Sequence, residues 1–193
     1  MAARLLFLFF SVIFPSLAIS APALTASSSG KNSMELIRTH CEHTIYPSFC
    51  IKSFTKYADA IRPDPIHLVQ LAANLTVNRV RGLSIRVSAH ARALAGPDAA
   101  LLLDCADALV DAVDQAKKSA TELNANGSEV AVLVGNVQLC MHAVVVDQDR
   151  CSDDFYRIHP GLVKDDMSRR IRQIKRFTMN AFSLLNDVIG AVP

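Results

Sequence analysis

Two cysteines close the segment Cys41-Glu-His-Thr-Ile-Tyr-Pro-Ser-Phe-Cys50, and no other feature restricts the fold of this chain as much. Tyr46-Pro47 supplies a turn between them, so the segment reads as a short bridged hairpin. Such a bridge requires an oxidising compartment. The first twenty residues agree with one: Arg4 gives a positive end, Leu5 to Phe14 an apolar stretch, and Ala18-Ile19-Ser20 a small-residue cleavage site, the layout of a secretory signal peptide. A membrane span needs about 20 apolar residues, and Pro15 and Ser16 interrupt this shorter run. Residues 1–20 are therefore expected to be a signal peptide, 21–32 a Ser-rich flexible lead-in, and 33–189 one folded domain. No later segment is long and apolar enough to span, and no lipidation or retention signal follows Val192-Pro193, so the expected destination is outside the cell, without membrane attachment.

Removing the leader leaves about 170 residues, enough for one domain with a full core. The net charge of +2 falls by one when Arg4 leaves, which gives no electrostatic case for nucleic acid as a partner. Trp is absent and Ala, Leu and Val dominate, which favours helices over short strands.

A short amphipathic run from Ser33 to about His43 precedes the Tyr46-Pro47 turn, and a second run reaches Ala60. Asp64 is placed to cap a long helix with Pro65 in its first turn, where a missing amide costs nothing. Along it Ile66, Val69, Ala73, Thr76, Val80, Leu83, Val87 and His90 alternate spacings of three and four, the seam of a bundle helix. Gly96-Pro97 ends it, with Asp98 capping the next. The second long helix, about Asp98 to Leu123, is expected to bury Leu101, Leu102, Cys105, Leu109, Ala112 and Ala116. After a turn at 124–128, the third (about Glu129 to Val146) places Val130, Leu133, Val137, Cys140 and Val144 on one seam. The last (about Leu162 to Ile189) does the same with Met167, Ile171, Ile174, Thr178, Ala181, Leu185 and Val188. The expected fold is all-α: an up-down-up-down four-helix bundle with an N-terminal helical hairpin.

Five cysteines forming two bridges allow 15 pairings, and sequence alone does not choose among them. Local geometry favours Cys41 with Cys50 across the turn. It also favours Cys105 with Cys151, just past the third helix, which ties two bundle helices. Cys140, inside an apolar seam, is then left as a buried free thiol.

Four short motifs occur in order: Thr44-Ile-Tyr-Pro-Ser-Phe-Cys50, Leu103-Asp-Cys-Ala-Asp-Ala-Leu-Val-Asp-Ala-Val-Asp114, Asp149-Arg-Cys-Ser-Asp-Asp-Phe155 and Asn180-Ala-Phe-Ser-Leu-Leu-Asn186. Together they resemble the plant invertase and pectin methylesterase inhibitor family over about Ser33 to Ile189. The resemblance implies a four-helix bundle with an N-terminal helical hairpin and the same two bridges. It also implies a secreted inhibitor that binds pectin methylesterase one to one, blocks its pectin cleft and so modulates pectin methylesterification in the cell wall. Acid invertase, in the wall or the vacuole, is the alternative target. A non-inhibitory helical binding protein is the reading from another class, and a large apolar cavity in the bundle would favour it. The chain departs from the family pattern in two places. Cys140-Met-His-Ala-Val144 stands where the family commonly has Trp-x-Ser-Ala-Ala, and Arg150 stands where Thr is usual.

Asp107, Asp111 and Asp114 fall on one face of the second long helix. By the residues alone this is a solvated stripe. By resemblance it matches the acidic face presented to the enzyme, with Asp153 as a further contact and Arg150 beside it. These five residues are the candidate partner-binding site. His40 and His43 flank Cys41, but no second ligand pair follows and a bridged Cys41 does not ligate, so neither metal nor cofactor is expected. His90 and His142 lack an adjacent nucleophile pattern, and no catalytic residue is assigned. Asn126-Gly127-Ser128 is a glycosylation sequon in a turn, and Asn74-Leu75-Thr76 a second one inside a helix. Arg79, Arg81, Arg86 and Arg92 spread over several faces of the first long helix, as a solvated helix does.

Overall fold

The computed structural model describes residues 25–124 and 130–190. The expected signal peptide, the first residues of the lead-in and the Asn126 sequon lie outside them. Six α-helices follow one another: α1 (Thr25–Glu42), α2 (Pro47–Phe54), α3 (Pro65–Ala93), α4 (Pro97–Asn124), α5 (Val130–Arg157) and α6 (Leu162–Gly190), with a 3-10 turn at Thr55–Ala60. Helices α3 to α6 form the four-helix bundle in cyclic order, so the α4/α5 seam lies opposite the α3/α6 seam. The hairpin of α1, α2 and the 3-10 turn packs on α6 and α3. Among the described residues no helix is long and apolar enough to cross a membrane.

Local chemistry sets the helix ends. Asp64 accepts a hydrogen bond from the Ile66 amide at 3.0 Å, with Pro65 inside the first turn, as expected. Before α4 the chain turns at Gly96 with φ +79°, a conformation that favours glycine, and the Gly96 carbonyl accepts from the amides of Ala99 and Ala100. The expectation that Asp98 caps α4 is corrected: Asp98 lies inside the first turn, and its carboxylate meets His159 Nδ1 at 2.9 Å, tying the α5–α6 connection to the start of α4.

Two boundaries also differ from expectation. Helix α5 continues to Arg157 rather than ending near Val146, so Cys151 lies within it. Nothing between Asp147 and Arg157 breaks a helix, and the stop comes at His159-Pro160. Lys164 Nζ then donates to the last carbonyls, those of Tyr156 and Ile158, at 2.9 and 2.6 Å. Helix α1 starts at Thr25, so Thr25 to Lys31 of the expected lead-in is helical. At Gly30 in this segment a Cβ would approach Asp59 Oδ1 to 3.0 Å, so glycine eases the close approach of α1 to the 3-10 turn.

Most expected seams are buried, with instructive exceptions. On α3, Val69, Ala73, Thr76, Val80, Leu83 and Val87 are buried, but Ile66 is 40% exposed and Ala91 takes the place expected of His90. On α5 the buried row is Val137, Met141, Val144, Gln148 and Cys151, so Cys140 flanks the seam and is half-exposed rather than buried. It is a free thiol, held above its ordinary pKa chiefly by burial. Both bridges have the favoured pairing, Cys41–Cys50 and Cys105–Cys151.

Helix α6 buries two faces. Met167, Ile171, Thr178, Ala181, Leu185 and Val188 follow the bundle seam, while Phe177 and Asn180 are also fully buried, under the hairpin. Phe177 meets Phe54 with ring centres 5.4 Å apart. Burial of such a side chain contributes about 1.5–3 kcal/mol. Asn180 accepts from the Tyr46 amide and donates to the Tyr46 carbonyl, both at 2.9 Å, so it replaces a backbone partner at the hairpin turn. Asp187 receives His40 Nδ1 at 2.7 Å and His43 Nδ1 at 3.1 Å.

Candidate functional site

The Cys105–Cys151 bridge sets the register of the antiparallel pair α4 and α5, with the two Cα atoms 4.1 Å apart. Counting outward from it brings Asp104 to within two residues of the level of Asp154, Asp107 to within one of Arg150, and Asp111 to within two of Asp147. Two acidic rungs thus cross the seam, with Arg150 between them. The electrostatics agree with that register. Burial, then the facing Asp111, holds the Asp147 carboxyl above the ordinary carboxylate range, against the pull of Arg150. Asp154 is raised in the same way, first by burial and then by Asp104, with Arg157 and Arg150 opposing and Asp153 adding. Asp154 is buried, its Oδ2 has no hydrogen-bond partner among the described residues, and its Oδ1 lies 3.8 Å from Arg157 Nη1.

Asp107, Asp111 and Asp153 are exposed, as is Arg150, and none of the four has an ion pair among the described residues. Asp114 is exposed but differs: its Oδ1 accepts from Lys117 Nζ at 2.8 Å, and that bond lowers its pKa. Leu103 and Val110 on α4 and Leu139 and Val146 on α5 are also exposed, from 50% for Val110 and Val146 to 70% for Leu139. The result is a face of mixed carboxylates and aliphatic side chains on a cross-linked helix pair.

The exposed acids are legible in the sequence, whereas the pairing of Asp104 with Asp154 and of Asp111 with Asp147 needs both helices. Their signal was present: Asp104 and Asp111 stand seven apart on α4, and Asp147 and Asp154 seven apart on α5, so each pair returns to one side after two turns. The remaining expectations place simply. His40 and His43 are engaged with Asp187. His90 is half-exposed and His142 exposed. Among the described residues no three His, Cys, Asp or Glu side chains gather as metal ligands would. Asn74 is exposed on α3, but Thr76 of its sequon is buried and donates to the Ala72 carbonyl, so the folded helix does not present that sequon. Inside the bundle the gap among Val69, Ala73, Ser119, Val137, Met141 and Leu185 is too small to hold a water molecule.

Comparison with known proteins adds three findings. The sequence profile of the family described as plant invertase/pectin methylesterase inhibitor matches residues 35–184. "Pectinesterase inhibitor 11" of Arabidopsis thaliana is 31% identical over 183 residues, covering 87% of this chain and 91% of that protein; "Pectinesterase inhibitor 10" of the same plant is 26% identical, covering 84% and 54%. The crystal structure of a mutant form of a pectin methylesterase inhibitor from Arabidopsis superimposes with a TM-score of 0.64 at 17% identity, over 80% of this chain and 95% of that one, which shows a shared fold.

Proposed function

The chain belongs to the plant invertase/pectin methylesterase inhibitor family, and on that premise we propose that it is an inhibitor and not an enzyme, and that it inhibits pectin methylesterase by seating its α4/α5 face in the enzyme's pectin cleft. The observation that carries this reading is the composition of that face. Asp107, Asp111 and Asp153 stand free of ion pairs beside exposed Val110 and Val146, on two helices cross-linked by Cys105–Cys151. A cleft that takes an extended, partly acidic polysaccharide offers polar groups that carboxylates meet with charge-assisted hydrogen bonds, and aliphatic contacts exclude water around them. The cross-link keeps the ordering cost of docking low. The complex is one to one, with one α4/α5 face per molecule, and Arg150 pairs with an acidic group of the enzyme.

In this reading residues 1–20 are removed on secretion, residues 33–189 form the inhibitory domain, Asn126 rather than Asn74 carries a glycan, and the protein acts in the cell wall on pectin methylesterification. The closely filled bundle interior favours it over a helical ligand-binding protein. The test mixes the oxidised mature protein with a plant pectin methylesterase and, separately, with an acid invertase at about pH 5, near the carboxylate range. Loss of esterase activity alone is the expected result. Asp107→Lys with Asp111→Lys weakens the inhibition by about 2 kcal/mol or more, roughly thirtyfold in Kd. Loss of invertase activity alone moves the target to invertase, and loss of neither overturns the inhibitor reading.

A further inference from the structure

The hairpin covers only part of the α3/α6 seam. Its contacts on α6 run from Phe177 to Asp187, and beyond them the seam opens into a groove of about 190 Å³ lined by Asn78, Arg79, Gly82, Arg86, Arg170 and Gln173, with Leu83 and Ile174 also at its wall. Among the described residues no acidic side chain lines it. Arg79 and Arg86 stand two helical turns apart on α3, about 10 Å along the axis. The four arginines of that helix therefore do not all scatter, as the sequence alone suggested: two of them meet a third from α6.

The three guanidinium groups are held differently. Arg79 is half-buried, with its guanidinium carbon 3.9 Å from the centre of the Phe177 ring, and burial lowers its pKa. Stacking on a ring fixes the plane of the guanidinium and leaves its N–H edges free to donate. Arg86 is exposed. Among the described residues neither Arg79 nor Arg86 has a carboxylate at ion-pair distance. Arg170 closes the end of the groove, with Nε donating to Asp166 at 2.7 Å. Between them a methyl group placed on Gly82 would meet no atom within 4 Å, so the floor is open.

We propose that this groove binds an oligosaccharide of uronate sugars, with sugar carboxylates on Arg79 and Arg86 and on the Nη groups of Arg170, whose Nε stays with Asp166. Each wall group has a counterpart on such a chain. Planar guanidinium forks match carboxylates with two parallel hydrogen bonds. The amides of Asn78 and Gln173 both donate and accept, as hydroxyl groups require. The partly exposed Ile174 offers an apolar contact to the C–H face of a pyranose ring, and open space at Gly82 admits the ring. A bare phosphate would use the arginines but none of the rest. The larger cleft between the end of α5 and the start of α6 lacks this match, because Asp153 and Asp165 line it and Lys164 is engaged with backbone carbonyls.

The groove lies opposite the α4/α5 face, so this proposal does not rest on the inhibitor reading and fails or stands apart from it. The test titrates the oxidised mature protein at low ionic strength with a short unesterified galacturonate oligomer, its fully methyl-esterified counterpart, a neutral galactose oligomer and inorganic phosphate, and follows binding by calorimetry and by the arginine side-chain NMR signals. The unesterified oligomer is expected to bind saturably, with shifts at Arg79, Arg86 and Arg170, and to weaken as salt is added. Binding is expected to fall about tenfold or more with esterification and with Arg86→Glu, and by less with Arg86→Lys, which keeps the charge and loses the fork. Arg86→Glu retains the parent's effect on the esterase. The proposal is overturned by absence of saturable binding, by equal binding of the esterified oligomer, the neutral oligomer or phosphate, or by an Arg86→Glu variant that binds as the parent does or loses enzyme inhibition with sugar binding.

Discussion

The bundle closes its two opposite seams by different means. At α4/α5 a disulfide joins the helices directly, and the side chains above it are left outside as acids and aliphatics. At α3/α6 a separate module is laid over one half, held by Phe54 on Phe177, Asn180 on the Tyr46 backbone and two histidines on Asp187, while the other half stays open and carries arginines. A covalent closure needs no cover, so the surface above it is free to carry charge. A closure made by packing and hydrogen bonds consumes the surface it covers. The same fold thereby has an acidic side and a basic side although its net charge is only +2.

The largest expected effect comes from removing the covalent closure. Replacing Cys105 and Cys151 by Ser opens a cross-link with a sequence separation of 46, and the chain-entropy relation gives a loss of about 4 kcal/mol. Replacing Cys41 and Cys50, separated by 9, gives about 2.6 kcal/mol by the same relation. Urea unfolding of the two double variants measures both. Equal losses would show that the α4/α5 bridge has no special place in the comparison.

A middle effect comes from cutting the polar latch. Asn180→Ala leaves the Tyr46 amide and carbonyl without their side-chain partner, at a cost of about 1–3 kcal/mol. Amide hydrogen exchange is expected to speed up in α1 and α2 well before α4 and α5 respond. Uniform acceleration through all six helices would mean that the hairpin is not a separable cover.

The smallest effect is a pH dependence located at the acidic rungs. Asp147 and Asp154 are both raised by burial and facing acids, so the folded state binds their protons more tightly than the unfolded chain does. With more protons bound in the folded state, stability falls as pH rises from the ordinary carboxylate range through the raised folded values, and it is recovered on acidification. Asp98, Asp114 and Asp166 are lowered by partners instead, and their contribution is lost only as pH drops from the ordinary carboxylate range through the lowered folded values. The thermal midpoint is therefore expected to be higher near pH 5 than near pH 7, with the slope reduced by Asp147→Asn. A slope that Asp147→Asn leaves unchanged would remove the rung from the account.

Much of this was legible in the chain because it depends on local rules. Asp64-Pro65 and Gly96-Pro97 mark helix ends by their own chemistry, and the three-and-four alternation on α3 and α6 marks their buried seams. What was not legible depends on a second element. Asn180 and Phe177 do not lie on the bundle seam of α6, and only the hairpin explains their burial. Asp154 reads as one more surface acid until the register of α4 sets Asp104 opposite. Arg79 and Arg86 look scattered on α3 alone, and α6 makes them neighbours of Arg170. The α5 spacing points to Cys140 for a seam that Met141 occupies, since one residue of drift along a helix turns a side chain by about 100°.

The Cys105–Cys151 bridge has one more consequence. It encloses the whole connection between α4 and α5, so a protease that cuts any single peptide bond between those two residues releases nothing. Both fragments stay on one covalent molecule, and the cut becomes visible only after the thiols are reduced.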